Sequence, residues 1–396
     1  MITPSFGLTA TERVLPRLAL DFTTASLDPR ITFTRTGNTA TVINSSGVIT
    51  SINANLPRFD YTLKTGGACK GLLIEETRIN FLTSVDLVNP TSTTGWTKTG
   101  DAASTFTVVS DSTELTAAGL ATLCTAGNVY KLDNSAGTTN AFVNINTAVT
   151  WGLASVSLSA YMRGSGTARL ETNQGTWTPV NHTLTSVYQR YVTVGTTDTS
   201  SNQFRVRALA GSVVYFILVQ AEVGAFATSL IPNTGSAVTR NADNASMTGT
   251  NFSSWYNATE GTFVVRGNIP STGGATRRLL SANDNTTDNS IQLAMASGGT
   301  SGYFEARVLG STVVSASVGT VAVNNFYNYS LGYKLNNYAY TANASSPGTD
   351  TSADVPTINQ LSIGYHTTSS WINGYIAKIL YFPQRLTNAE IQAQSK

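Results

Sequence analysis

The sequence predicts an all-β protein: two consecutive antiparallel β-sandwiches of jelly-roll type, preceded by a β-rich N-terminal segment and closed by a short C-terminal helix. Three observations predict it. Only 12% of the 396 residues are charged while 41% are hydrophobic, so the polar surface must be built largely from Thr, Ser and Asn. Thr suits a pleated surface through its branched Cβ, and Asn, Ser and Gly serve turns. Short apolar runs recur along the whole chain between turn residues, and no long window is dominated by helix formers.

A chain of this length exceeds one ordinary hydrophobic core. Residues 1–82 read as a β-rich attachment or connector segment. Its strand-like pieces "LALDFT", "ITFTR", "ATVIN" and "GVITSI" are divided by Asp28-Pro29, Gly37-Asn38 and Asn44-Ser45-Ser46-Gly47, which is turn chemistry. "PRFDY" and "KGLLIEETRINFL" follow, the latter a short apolar run leading into two acids.

Residues 83–241 read as a first sandwich, with "STFTVVS", "NVYKLD", "SVSLSAYMR", "ARLETN", "YQRYVTV", "QFRVRAL" and "SVVYFILVQAE" as strands. In "SVSLSAYMR", alternation places Val156, Leu158, Ala160 and Met162 on a core face. Ser155, Ser157, Ser159, Tyr161 and Arg163 fall on a polar face. The run Val213 to Val219 predicts a strand buried on both faces, and "GAFATSLIPNTG" an exit loop folding back as an inter-domain hinge piece. In that loop Gly224 permits the turn, Pro232 blocks further pairing, and Phe226 and Ile231 pin the loop down.

Residues 242–396 repeat the pattern as a second sandwich, from "GTFVVRGNI" to "GYIAKILYF". Thr387 followed by Glu390 is a capping-box signature for the terminal helix.

Composition also excludes classes of function. With 24 basic and 22 acidic side chains the net charge is +2, and the arginines are scattered, so no nucleic-acid partner is expected. No apolar run is long enough to span a bilayer, so no membrane insertion is expected, and no secretion signal is visible. Cys69 and Cys124 stand 55 apart without a neighbouring ligand residue, which indicates neither a metal knuckle nor a redox pair. Either they pair as a structural disulfide or each packs as a small hydrophobe.

Catalytic signatures are sparse. His182 and His366 are the only histidines, and neither sits beside a triad partner. Glu75, Glu76, Glu171, Glu222, Glu260 and Glu305 offer carboxyls for a glycosidase pair, but equally read as solvated acids or partners of arginines such as Arg169 and Arg307. Asp284 and Asp288 in "ANDNTTDNS" could offer oxygens to calcium, although the loop lacks an EF-hand pattern and reads as well as a polar hairpin. "KTGGACKG" lacks the order of a phosphate loop.

Sugar binding requires less: a flat aromatic face and a few amide, guanidinium or carboxyl groups to orient hydroxyls. Tyr161, Arg163, Trp177 and Trp371 are the candidates, with core packing as the alternative for each; Trp96, Trp151 and Trp255 are assigned to packing.

Several stretches together resemble tailed-phage virion surface proteins. The N-terminal block through "PRFDY", "GLLIEETRINFL" and "GWTKTG" is similar to a module of tail and head-fibre proteins. "SLSAYMRGSGTARLE" through "YFILVQAEVGAFATSLIPNTGSAVTR" resembles an appended jelly-roll carbohydrate-binding module, differing where a Trp-Gly pair would precede the glutamine. "INGYIAKILYFPQRLTNAEI" resembles the close of a concanavalin-A or laminin-G-like sandwich.

The resemblance implies a non-enzymatic virion structural protein on the particle surface, as a head decoration or fibre or as a tail adhesin. Its implied partners are capsid or tail proteins, host-surface carbohydrate and copies of itself, a homotrimer favoured. The competing expectation is a tail enzyme that depolymerises polysaccharide with a carboxylate pair.

Overall fold

The structure, a computed structural model, describes residues 14–37, 39–172, 180–200, 202–367 and 369–396. Among them, nearly everything regular is antiparallel strand, with short helices at Ser112–Ala117, Thr250–Ser253 and Asn388–Gln394. The all-β expectation and the terminal helix are observed. Thr387 accepts a bond from the Glu390 amide while the Glu390 side chain returns to the Thr387 amide at 2.8 Å, completing the capping box.

Two large sheets form one sandwich. The first runs in the order Gly348–Asp350, Tyr338–Ala342, Phe326–Lys334, Glu260–Asn268, Gly374–Phe382, Gly66–Ile74, Arg58–Thr62, with Leu18–Asp21 also paired to Gly374–Phe382. The second runs Thr32–Thr34, Asn244–Thr248, Gln360–Ile363, Arg277–Asn283, Ser290–Met295, Ser301–Val308, Ser311–Thr320. Both therefore mix strands from the two ends of the chain. Leu18 lies opposite Tyr381, Leu72 opposite Ile376 and Phe33 opposite Ala245.

The first 82 residues thus do not stand apart as a connector: Leu18, Phe33, Leu72 and Ile74 share one core with Phe263, Leu280 and Ile376. The turn residues set the hairpins correctly, as at Asn44, whose side chain accepts from the Ser46 and Val48 amides at 3.0 Å. They carry no information about which distant strand a hairpin edge will meet.

The middle of the chain forms a smaller sandwich of two five-stranded sheets. One is Gln189–Thr196, Ser155–Ser165, Val213–Val223, Asn128–Asp133, Thr105–Ser110; the other is His182–Thr183, Thr167–Thr172, Gln203–Ala208, Ala141–Asn146, Thr97–Gly100. Its core holds Val156, Leu158, Met162, Leu170, Phe204, Val206 and Phe216, and Trp96 packs edge-on against Tyr130 and Phe216. The chain enters and leaves side by side, Arg78–Asn80 pairing with Val238–Arg240. The smaller sandwich is accordingly an insertion between two halves of the larger one, attached where chain termini of an inserted domain must lie close.

Val213–Val223 is buried along most of its length on both faces, as its composition predicts. Its outer face is covered by its own exit loop and, around Ile217 and Leu218, by Val88, Leu115 and Leu120. Glu222 accepts the Thr228 amide at 2.9 Å, Gln220 accepts the Ile231 amide at 2.7 Å, and Asn80 gives its amide to the Val219 and Ile231 carbonyls. This is a stitched seam rather than a hinge.

The same cover changes the reading of Ser155–Ser165. Val156, Leu158, Ala160 and Met162 face the core as expected, but Ser157, Ser159 and Tyr161 are buried too, beneath the exit loop and the N-terminal hairpin. The pairing with Val213–Val223 slips between Ser159 and Tyr161, but the extra residue lies on Val213–Val223, where Leu218 has a φ of +52°, so the alternation of Ser155–Ser165 is kept.

Candidate functional site

Beneath the seam lies a charge network whose members come from both ends of the insertion. Arg35, Arg58, Arg240 and Asp243 have fully buried side chains, and that of Glu75 is 5% exposed. Arg58 pairs with Glu75 at 2.7 Å and with Asp243; Arg240 pairs with Glu75; Arg35 pairs with Asp243 at 2.9 Å. Ser229 of the exit loop donates its amide and hydroxyl to Glu75 at 2.7 and 2.6 Å. Burial alone would push the Glu75 carboxyl up, but the Arg240 and Arg58 guanidiniums and the Ser229 bonds outweigh it and hold it down at about 2.

Over this network opens a cleft of about 190 Å³ where all three stretches of chain meet. The hairpin Ala40–Ile43/Ile49–Ile52 gives Thr41, Ile43 and Ile49, and the larger sandwich gives Asp60, Asn373 and Tyr375. The inserted sandwich gives Tyr161 and Arg190, and the exit loop Thr228 and Leu230.

Arg190 is the group that makes this cleft chemically specific. Its Nη1 donates to the Thr228 carbonyl at 2.6 Å and its Nη2 to Ser159 Oγ at 2.9 Å, while Nε is buried without a partner among the described residues. Asp60 faces the same space, accepting from the Ile43 amide at 2.8 Å and the Tyr375 hydroxyl at 2.7 Å. Burial, then the neighbouring Asp60 charge, raises the Tyr375 hydroxyl well above its ordinary value, so it stays a donor. Aromatic walls with a few convergent polar groups are the usual form of a small-molecule site, and this volume, below the several hundred Å³ of a drug-sized pocket, admits one small ring.

The sequence candidates scatter. Tyr161 lines the cleft. Arg163 does not: its Nε donates to Asp111 at 2.8 Å, and its guanidinium lies 4.1 Å from the Tyr215 ring centre. Trp371 stacks on Tyr365 at 5.9 Å and donates its indole N–H to the Asp243 carbonyl at 3.0 Å, which makes it part of the seam. Trp177 lies outside the described residues.

Asp284 accepts from the Thr286 amide and Asn289 Nδ2, both at 2.9 Å, within its own loop. The Asp288 amide and carbonyl bond to Thr286 and Gly310, fixing the turn. Among the described residues no group of three or more His, Cys, Asp or Glu side chains is placed to hold a metal ion. Cys69 and Cys124 are free and buried.

The six acids weighed for a glycosidase pair are each taken by partners, Glu75 by the network above. Glu76 meets Arg78 and Arg277, Glu171 meets Arg207, Glu222 meets Thr228, Glu260 meets Lys334, and Glu305 meets Arg278. His182 bonds Thr193 Oγ1 at 2.8 Å, and His366 bonds Ser281 Oγ at 2.9 Å. Ser281 is completely buried, so that Ser–His contact offers no nucleophile to solvent.

Arg190 and Asp60 were not singled out by the sequence, where they stand inside the strand-like stretches "YQRYVTV" and "PRFDY". The one signal was a lone arginine beside two aromatic residues on a strand.

No family model matches the chain, and no curated protein matches it. Solved structures similar to it include the CBM40 of Ruminococcus gnavus IT-sialidase bound to alpha2,6 sialyllactose, at 17% identity over 35% of this chain and 85% of that one, TM-score 0.30. A heptameric SAP-like pentraxin from Limulus polyphemus is similar at 15% identity over 34% of this chain and 69% of that one, TM-score 0.26. Trypanosoma rangeli sialidase in complex with the inhibitor DANA is similar at 11% identity over 67% of this chain and 66% of that one, TM-score 0.29. Likeness at this level transfers neither a ligand nor an activity.

Proposed function

We propose that the protein is a non-enzymatic structural part of a phage particle, exposed on its head or tail, that binds host-surface glycan weakly in the junction cleft. The observation that carries the glycan reading is the convergence of Arg190, Tyr161, Asp60 and Tyr375 on one cleft, with the Arg190 guanidinium held in place by Thr228 and Ser159. Those groups suit one terminal sugar ring, whose apolar face meets the tyrosines while its hydroxyls meet Arg190, Asp60 and Thr228. A site this small binds weakly alone and becomes useful through many copies, which fits a repeated particle component and favours a homotrimer. The particle assignment itself rests on the sequence resemblance. Contacts to capsid or tail proteins belong to it.

A second reading, a polysaccharide-cleaving enzyme, has one observation in its favour, since Asp60 and Glu75 line the same cleft. Against it, glycoside cleavage needs one carboxyl that holds a proton near neutral pH, and Glu75 is kept ionised at about 2 with both oxygens bonded. A glycan array probed with the purified chain, paired with a reducing-end assay on host capsule or lipopolysaccharide, separates the readings. Retention without turnover supports the adhesin, released reducing ends support the enzyme, and a blank array with particles that fall apart on deletion indicates a scaffold. Sedimentation at micromolar concentration tests the trimer, and a monomer there and on the particle removes it.

A further inference from the structure

The inserted sandwich carries a second polar surface, on the sheet opposite the one that borders the cleft. Across that sheet the register aligns two rows of outward side chains. One row is Thr99, Phe142, Arg207, Arg169; the other is Thr97, Asn144, Arg205, Glu171. The inward residues between them, Val143, Ile145, Phe204, Val206, Ala168 and Leu170, belong to the core, so the rows face away from it.

Charge is out of balance on this face. Arg169 and Arg207 stand directly opposite each other on neighbouring strands, an arrangement that costs stability between like charges. Glu171 answers only one of them well: Arg207 Nε and Nη2 both reach it at 2.8 Å, whereas Arg169 Nη1 is 3.9 Å away and its Nε turns to Asn181 at 2.7 Å. Arg205 has no carboxylate partner among the described residues. Its Nη2 reaches Gln203 at 3.3 Å and its Nε is buried without a partner among the described residues. Both Arg205 and Arg207 lie over the Phe142 ring, 4.8 and 4.9 Å from its centre, which fixes the two planar groups against one platform. Burial, then the adjacent Arg207 charge, pulls the Arg205 guanidinium below its ordinary value, against the opposing Glu171 charge across the strand pair.

We infer that this face is a second binding site, for a carboxylate-bearing saccharide. Three arginines against one glutamate leave a surplus of two positive charges, and a carboxylate seated between Arg205 and Arg169 would relieve the like-charge opposition while taking the bidentate geometry guanidinium offers. Hydroxyl-orienting groups flank it in the same rows, the exposed Thr97 and Thr99, with Asn144 buried beside them. The face lacks the extended basic stripe that nucleic acid requires. This site is distinct from the junction cleft and does not depend on it.

Isothermal titration of the full chain with a uronic-acid tetrasaccharide, its carboxyl-reduced neutral counterpart and inorganic phosphate tests the proposal. The acidic sugar is expected to bind, with about tenfold or greater loss on carboxyl reduction and a similar loss in Arg205→Gln. Arg205→Lys, which keeps the charge without the fork, should lose about threefold while melting like the parent, separating recognition from folding. No binding of the acid, equal binding of the reduced sugar, or no effect of Arg205→Gln overturns it. Phosphate binding as tight as the acidic sugar would show a general anion patch and also overturn it. Loss of acid binding in Arg190→Gln but not in Arg205→Gln would place the ligand in the cleft, against this inference and in favour of the other.

Discussion

Ser229 and Glu75 lie 154 residues apart in the chain, yet Ser229 donates both its amide and its hydroxyl to the Glu75 carboxylate, at 2.7 and 2.6 Å. This contact closes the exit of the inserted sandwich onto its host and roofs the charge network that Arg58, Arg240 and Asp243 complete. Glu75→Gln would leave Arg58 and Arg240 buried with one fewer negative partner, and should cost about 3–5 kcal/mol in urea unfolding. Ser229→Ala should cost about 1–3 kcal/mol, since it removes one donor and leaves the charges in place. Equal, small effects for both would mean that the network does not hold the seam.

Gly224 is the turn residue on which the exit loop depends. Its φ is +141°, and a Cβ there would fall 1.7 Å from Arg78 Nη1. That guanidinium could swing aside only by leaving the Val223 carbonyl, Glu76 and the face of Phe226, whose ring centre is 4.6 Å away. Gly224→Ala should therefore destabilise by about 1–3 kcal/mol, read as a lower urea midpoint at unchanged slope. An unchanged midpoint would show that the Arg78 contacts are dispensable.

Acid should weaken the protein in two separate legs. Burial, then the Arg278 charge, pushes the His366 imidazole from 6.5 down to about 4. Below 6.5 the unfolded chain takes up a proton that the folded chain refuses, so stability is full above that pH and falls by roughly 3 kcal/mol on the way to about 4. His182 is lowered by burial and adds in the same direction. Glu75 acts lower: its contribution is present above 4.5 and is lost as pH falls toward about 2. Stability measured from pH 7 to 3 should show the first leg shallower in His366→Gln and the second unchanged. A parent curve flat between pH 6.5 and 4 would refute the assignment.

The strands were legible because their information is local. Alternation in "SVSLSAYMR", the apolar run at Val213 to Val219 and the Thr387–Glu390 spacing each describe a few neighbouring residues, and each is found. Trp96, Trp151 and Trp255 are buried, as their assignment to packing expected, although none of the three lies in a strand. Partnership between distant strands was not legible. Nothing in "LALDFT" indicates that it will pair with Gly374–Phe382, so the single split sandwich with its insertion could not be read.

The site suffered from the same blindness. Arg163 looked available until Asp111, 52 residues away, closed on it. Arg190 looked ordinary until the exit loop came over it. The alternate arginines of "QFRVRAL" did carry a period-2 signal for one charged face, but the like charge opposite them, Arg169, becomes visible only with the register.

The most direct test of the account is to incubate the purified chain with intact bacterial surface polysaccharide, the ligand class proposed for the cleft, then measure retained protein and new reducing ends together, in the parent and in Arg190→Gln. The account predicts retention by the parent, roughly tenfold weaker retention by the variant and no new reducing ends in either. Reducing ends that appear with the parent and vanish in Asp60→Asn, or retention indifferent to Arg190, would contradict it.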